Sequence, residues 1–202
     1  MNASKPFVLG LTGGIGCGKS EAARHLEALG AKHIDADAIS RALTAPGGEA
    51  LPEIRREFGD RVFSQDGTLD RGALAEVVFA DAAAKARLES IIHPLVRART
   101  VREIKETTAR VAVLDVPLLF ESGMDALCGE TWAMSADAAT QIARIRERDG
   151  MTEAQARARI ANQLPMAERN ARATRVIDSA RPIEETRSEL TQLYRELLER
   201  IG

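Results

Sequence analysis

Short apolar runs alternate with stretches of helical spacing along the chain. Phe7-Val8-Leu9-Gly10-Leu11 is the first run and breaks into a glycine-rich turn. Ala22, Ala23, Leu26 and Leu29 then recur at helical spacing, predicting a helix over 18–29 that Gly30 stops. Ala31 to Ile34 reads as a second strand ending in Asp35-Ala36-Asp37, and 38–43 as a short helix broken by Ala45-Pro46-Gly47-Gly48. Helical patterns follow at 49–58, 70–79 and 82–92, with a turn at Phe63 to Gly67. His93-Pro94 predicts the start of a further helix reaching Thr108, since proline fits a first helical turn. No strand signal interrupts these sixty residues.

Val111-Ala112-Val113-Leu114-Asp115-Val116 is the clearest later strand, apolar enough for a parallel sheet covered on both faces. Further strands are predicted at 131–134 and 175–178, and helices at 138–148, closed by Gly150, and at 183–200. Thr152-Glu153-Ala154-Gln155 has the capping-box form and opens another helix reaching Asn162. Strands that alternate with helices predict an α/β domain built on a parallel sheet. The residues from Glu49 to Thr108 read as a helical insertion between its second and third strands.

The first strand, turn and helix carry the chemistry. Gly13, Gly18, Lys19 and Ser20 complete G-x-x-x-x-G-K-[ST], the P-loop spacing, in the strand–loop–helix context that the motif requires. Glycines at 13, 14, 16 and 18 let successive N–H groups converge on phosphate oxygens, and the helix N-terminus adds its positive dipole end. Lys19 is expected to reach the β- and γ-phosphates of a nucleotide and Ser20 to ligate Mg²⁺. Cys17 has two readings: an inert small residue, or a thiol with a lowered pKa at a helix N-terminus.

Composition narrows the partners. The 202 residues are 45% hydrophobic and 29% charged, as in soluble globular proteins, with a formal net charge of −2. That charge offers no general attraction to nucleic acid or an anionic membrane. No leader pattern precedes the first strand and no apolar run approaches membrane-spanning length, so a cytoplasmic protein is expected. Two cysteines make no disulfide framework, and three scattered histidines, His25, His33 and His93, lack zinc-site spacing. The expected partner is a small molecule.

Several other residues stand where chemistry is expected. Asp35 and Asp37 follow a strand end, where an α/β sheet faces its ligand, and either would serve as general base or in Mg²⁺ positioning. Asp37 is the better placed as base, with a helix N-cap as its structural alternative. Asp115 resembles a Walker-B acid in position. From Thr140 to Val176 eight arginines face four acids. Most read as a solvated face, but Arg144 and Arg148 share one helix face ahead of Asp149-Gly150, as in a lid over phosphates. His93 and Glu121 each read as an acceptor contact or as local packing.

Together these segments resemble the dephospho-coenzyme A kinase family. The P-loop, Ile34-Asp35-Ala36-Asp37 with Arg41, Asp66-Gly67-Thr68-Leu69-Asp70-Arg71, His93-Pro94-Leu95, Pro117-Leu118-Leu119-Phe120-Glu121-Ser122-Gly123, Gln141 with Arg144 and Arg148, Ala158 to Gln163 and Val176-Ile177-Asp178 occur in family order. Ala173-Thr174 and Ser179-Ala180-Arg181 depart from the family's usual Ala-Asp and Asn-x-Gly. The resemblance implies a P-loop NTPase fold, three-layer α/β/α on a five-stranded parallel sheet. It implies a core over 5–45, 109–148 and 173–202, an acceptor-binding insertion over 46–108 and a lid over 149–172.

The implied reaction is transfer of the ATP γ-phosphoryl group to the ribose 3′-hydroxyl of dephospho-coenzyme A, with Mg²⁺, by a monomer or weak homo-oligomer. Asp37 matches the family's base, and Lys19 and Arg144 its phosphate-stabilising cations. Nucleotide contacts are implied for Gly13, Gly14, Ile15, Gly16, Cys17, Gly18, Lys19, Ser20 and Arg148. Acceptor contacts are implied for Thr12, Asp37, Arg41, His93, Pro117, Leu118, Leu119 and Glu121. Rival readings are another P-loop nucleoside or nucleotide kinase, a GTPase-like switch, for which the N-K-x-D and D-x-x-G motifs are missing, and an RNA-binding role for the arginine-rich region.

Overall fold

A computed structural model describes residues 5–202. Five strands, β1 (Phe7–Gly13), β2 (Lys32–Asp35), β3 (Val111–Asp115), β4 (Glu130–Ser135) and β5 (Arg175–Asp178), form one sheet in the order β2-β3-β1-β4-β5. β1 pairs parallel with β3, Leu9 opposite Val113, and with β4, Leu11 opposite Trp132. β4 in turn pairs parallel with β5. Strand order reverses at β1, so the crevice at its carboxyl end is the sheet's topological switch point. The phosphate loop begins there.

Nine helices accompany the sheet among the described residues: α1 (Lys19–Ala28), α2 (Ala36–Leu43), α3 (Leu51–Phe58), α4 (Arg71–Ala80), α5 (Ala82–Glu106), α6 (Ala138–Asp149), α7 (Glu153–Ala161), α8 (Met166–Arg172) and α9 (Ile183–Arg200). The fold is three-layer α/β/α. Leu9 and Leu11 point to one face, where Ala22, Ala23 and Leu26 of α1 and Leu190, Tyr194 and Leu197 of α9 complete a core around Trp132 and Met134. On the opposite face a side chain at Gly10 would meet Leu119 and Cys128, so the strand's period of two is read by both layers. No helix among the described residues is long and apolar enough to cross a membrane.

Two compact units make up the chain, one running to Ile34 and again from Ile104 to Gly202, the other from Asp35 to Glu103. The second unit is helical and has its own buried set, including Ile54, Phe58, Val62, Leu74 and Ala84. Asp70 caps α4, its carboxylate accepting from the amides of Gly72 and Ala73 at 2.9 Å. Arg71 donates to the Thr44 hydroxyl at 2.9 Å.

The structure corrects one helix prediction and adds a helix that was not predicted. Pro94 lies inside α5, a single helix of 25 residues, and starts no new one. The missing N–H forfeits one backbone hydrogen bond, but buried positions on both sides of it, Ala84, Val96 and Thr100, carry the helix through. Helix α8 was not foreseen; its N-cap is Pro165 and its one buried residue is an arginine, Arg169.

Candidate functional site

At the carboxyl end of β1 the chain turns through Gly14 to Gly18 into α1. Gly16 and Gly18 have φ of +78° and +73°, a left-handed region that disfavours any Cβ. Close approach adds to the demand. A Cβ on Gly13 would lie 2.9 Å from the Met134 carbonyl oxygen, and one on Gly16 2.9 Å from the Gln141 carbonyl oxygen. The loop is pressed against β4 and α6.

Two side chains hold its backbone. Gln141 Nε2 donates to the Ile15 carbonyl at 2.7 Å, and the Ile15 amide donates to Gln163 Oε1 at 2.8 Å. The Cys17 amide donates to the Gly14 carbonyl at 3.0 Å. The Ile15 and Cys17 amides therefore have protein acceptors already, which narrows the expected cradle. The amides of Gly16, Gly18, Lys19 and Ser20 have no acceptor among the described residues, and the last three sit at the N-terminus of α1. Unpaired donors converging at a helix N-terminus form a site for an anion.

Lys19 forms an ion pair with Asp115 at the end of β3, and His33 Nε2 lies 3.2 Å from the other carboxylate oxygen. Burial opposes the Asp115 charge, but the His33 hydrogen bond and the Lys19 charge and hydrogen bond outweigh it and hold the carboxyl below its usual range. Asp115 thus orients the lysine beside the loop. Arg144, on α6, donates to the Gly16 carbonyl at 3.2 Å and to the Ser179 carbonyl at 2.6 Å. Arg148, one turn on, is largely exposed and pairs with Asp149.

Beside the loop a cleft of about 220 Å³ is lined by Gly18, Met134, Arg144, Ser179, Arg181 and Ile183, among others. The Ser179 hydroxyl donates to the Cys17 carbonyl at 2.9 Å and so ties the segment after β5 to the loop. Thr174 exchanges hydrogen bonds with Thr131 at 3.0 and 3.1 Å between β5 and β4. The two departures thus flank β5, Thr174 tying its amino end to β4 and Ser179 its carboxyl end to the loop.

Other predicted residues resolve differently. Cys17 is 1% exposed, and burial pushes its thiol above its ordinary value despite backbone hydrogen bonds and nearby arginines; the inert reading stands and the low-pKa one falls. Leu119 is wholly buried, against Gly10, and the buried Thr12 hydroxyl donates to the Pro117 carbonyl at 3.1 Å. Both side chains face inward. Leu118 and Glu121 are exposed.

In the helical unit Asp35, not Asp37, is the N-cap of α2, accepting from the Ala38 amide at 2.9 Å, with Arg41 Nη2 3.4 Å from its second oxygen. Asp37 lies in the first helical turn, so the capping alternative to its chemical role does not hold. His93 is exposed in the middle of α5 and caps nothing. The arginine-rich region is not all surface. Arg169 is 3% exposed, Arg175 pairs with the buried Glu130, and the Arg172 guanidinium stacks 4.5 Å from the Phe120 ring centre.

Sequence reasoning missed how Gln141 and Gln163 hold Ile15, the His33–Asp115 contact and the burial of Arg169. Strand alternation at β2 was the one signal available, placing His33 and Ile34 on opposite faces. For contacts between residues more than a hundred positions apart there was none.

The family described as CoaE, dephospho-CoA kinase, matches residues 7–185. The chain belongs to the dephospho-CoA kinase family. A dephospho-CoA kinase of Symbiobacterium thermophilum is 43% identical over 191 residues, 93% of this chain and 80% of the relative. TT1252 from Thermus thermophilus superposes with a TM-score of 0.83 at 33% identity, covering 96% of this chain and 99% of that one. A dephospho-CoA kinase from Campylobacter jejuni gives 0.71 at 28% identity over 94% and 96%. This member of the family is accordingly a kinase.

Proposed function

We propose that the chain transfers the γ-phosphoryl group of ATP to the ribose 3′-hydroxyl of dephospho-coenzyme A, giving coenzyme A and ADP in the cytoplasm. The observation that carries this reading is the set of unpaired amides at Gly16, Gly18, Lys19 and Ser20 beside the Lys19–Asp115 pair, in a chain of this family. Those amides bind phosphate oxygens, and the α1 dipole favours their charge. The adenine end of ATP takes the adjoining cleft, on the side lined by Ser179, Arg181 and Ile183.

A triphosphate entering the loop offers Lys19 a second anionic partner, and the lysine turns from Asp115 toward the β- and γ-phosphates. Asp115, contacted by His33, and the exposed Ser20 hydroxyl would hold Mg²⁺. One hydroxyl and one carboxylate suit an ion that keeps most of its coordination for water and phosphate. When bound, the ion neutralises charge on the phosphate oxygens. Arg144 stabilises the transferring group, and Asp37 accepts the proton of the attacking 3′-hydroxyl. Arg41, His93, Leu118 and Glu121 contact the acceptor.

A coupled ADP-release assay tests the reading with dephospho-coenzyme A, adenosine and AMP as acceptors. Turnover with dephospho-coenzyme A at least a hundredfold faster than with the other two, and a 3′-phosphorylated product by mass spectrometry, is expected. Preference for adenosine or AMP would make the chain a different phosphotransferase.

A further inference from the structure

Three charged residues of the unit that carries the phosphate loop are almost fully buried: Asp115, Glu130 and Arg169. The first two have opposite charges against them, Lys19 for Asp115, and Arg175 and Arg200 for Glu130. Arg169 has none. Among the described residues no carboxylate lies within ion-pair distance of it, its Nε has no partner, and Nη2 donates to the Leu164 carbonyl at 2.8 Å. Arginine keeps its proton in proteins, and a buried cation without a counter-ion is strongly unfavourable. The fold nonetheless holds it there.

Its position supplies a reason. Nη1 is 3.3 Å from the point where a Cβ on Gly14 would lie, so the guanidinium packs against the phosphate loop where that glycine leaves room. The same loop presents unpaired amides and the positive end of α1, and beside them stands Arg169, which no acid among the described residues pairs with. We propose that Arg169 is a positioning residue for the nucleotide's phosphate tail, a fixed charge against Gly14 whose missing counter-ion is the polyphosphate itself. It ties α8 to the loop and raises affinity in proportion to the negative charge the loop receives. The inference rests on the reading that this loop binds the tail of ATP.

The test compares ADP and AMP binding by isothermal titration calorimetry in wild type, Arg169→Met, Arg169→Gln and Arg169→Lys, with folding followed by thermal melts. Loss of a unit charge a few ångströms from phosphate at an effective dielectric of about 20 weakens binding by about tenfold or more. Both neutral variants are expected to lose that factor for ADP and no more than about threefold for AMP, while Arg169→Lys stays within about threefold of wild type for both. Arg169→Gln keeps a hydrogen-bond donor for Leu164 and gives the same reading if Arg169→Met does not fold. Equal losses for ADP and AMP, a loss in Arg169→Lys as large as in the neutral variants, or unchanged ADP affinity would overturn the proposal. Lys19→Met separates the two levels: if ADP affinity ignores that change as well, the nucleotide-site reading falls together with this inference.

Discussion

Gly16→Ala isolates what the geometry of the phosphate loop demands. At φ +78° an alanine costs about 1–2 kcal/mol in backbone strain. Its Cβ would also stand 2.9 Å from the Gln141 carbonyl oxygen and 3.1 Å from the Gln141 Cα, and both are backbone atoms of α6 that no rotamer change can move away. The loop must shift by several tenths of an ångström, which turns the neighbouring amides off their phosphate directions. Hydrogen bonds to a charged acceptor are worth about 1.5–3 kcal/mol each, so misaligning one weakens ADP binding by about 10- to 100-fold.

Gly30→Ala is the control. Gly30 has φ +99°, nothing within 4 Å of its would-be Cβ, and sits past the far end of α1. It carries the strain without the clash. Thermal melts should show both variants less stable, by about 2–4 °C per kcal/mol in a chain of this size. Calorimetry should show that only Gly16→Ala loses ADP affinity. Wild-type affinity in Gly16→Ala would refute the reasoning, and an equal loss in Gly30→Ala would show that stability rather than loop geometry sets affinity.

Three further outcomes are expected. Asp37→Asn should keep ATP affinity within a few-fold yet lose most of kcat, and near-normal kcat would remove Asp37 from the base role. Glu130→Gln should lower stability by about 2 kcal/mol at pH 7, since the buried carboxylate accepts from Trp132, Arg175 and Arg200. Burial raises the Glu130 pKa, but those partners more than offset it and the carboxyl lies below its ordinary 4.5. The charge therefore stabilises the fold above that value and less as pH falls through the lowered one, so the Tm gap to wild type should narrow as pH falls below 4.5; a constant gap across pH 3–7 would contradict this. Finally, Cys17 is buried, and desolvation pushes the thiol of the half-buried Cys128 up to about 12, so a thiol reagent at pH 7.5 should label neither quickly before denaturation, and a fast-reacting native thiol would count against the packing described.

The sheet was legible because its strands are apolar runs bounded by glycine, proline and acids, and β3, buried at every position, left the plainest mark. The phosphate loop was legible because its glycines answer backbone requirements that are local. What escaped was non-local or broke a local rule. Pro94 reads as a helix start, and only the packing of Ala84, Val96 and Thr100 carries α5 through it. Helix α8 has no apolar stripe to reveal it, since its buried position is an arginine. That Ile15 is held by Gln163, 148 residues on, has no periodicity to betray it. Leu119 and Thr12 lie within motif segments yet face inward, which a motif alone does not distinguish.

The central claim is that the loop's unpaired amides grip the phosphate tail. Amide ¹⁵N–¹H spectra of the labelled protein, titrated with Mg²⁺·ADP, address it residue by residue. The account predicts that the amides of Gly16, Gly18, Lys19 and Ser20 shift downfield most, as new hydrogen bonds to anionic oxygen form, while those of Ile15 and Cys17, already bonded within the protein, move less. Binding that left those four resonances in place, or moved Ile15 and Cys17 further than they move, would contradict it.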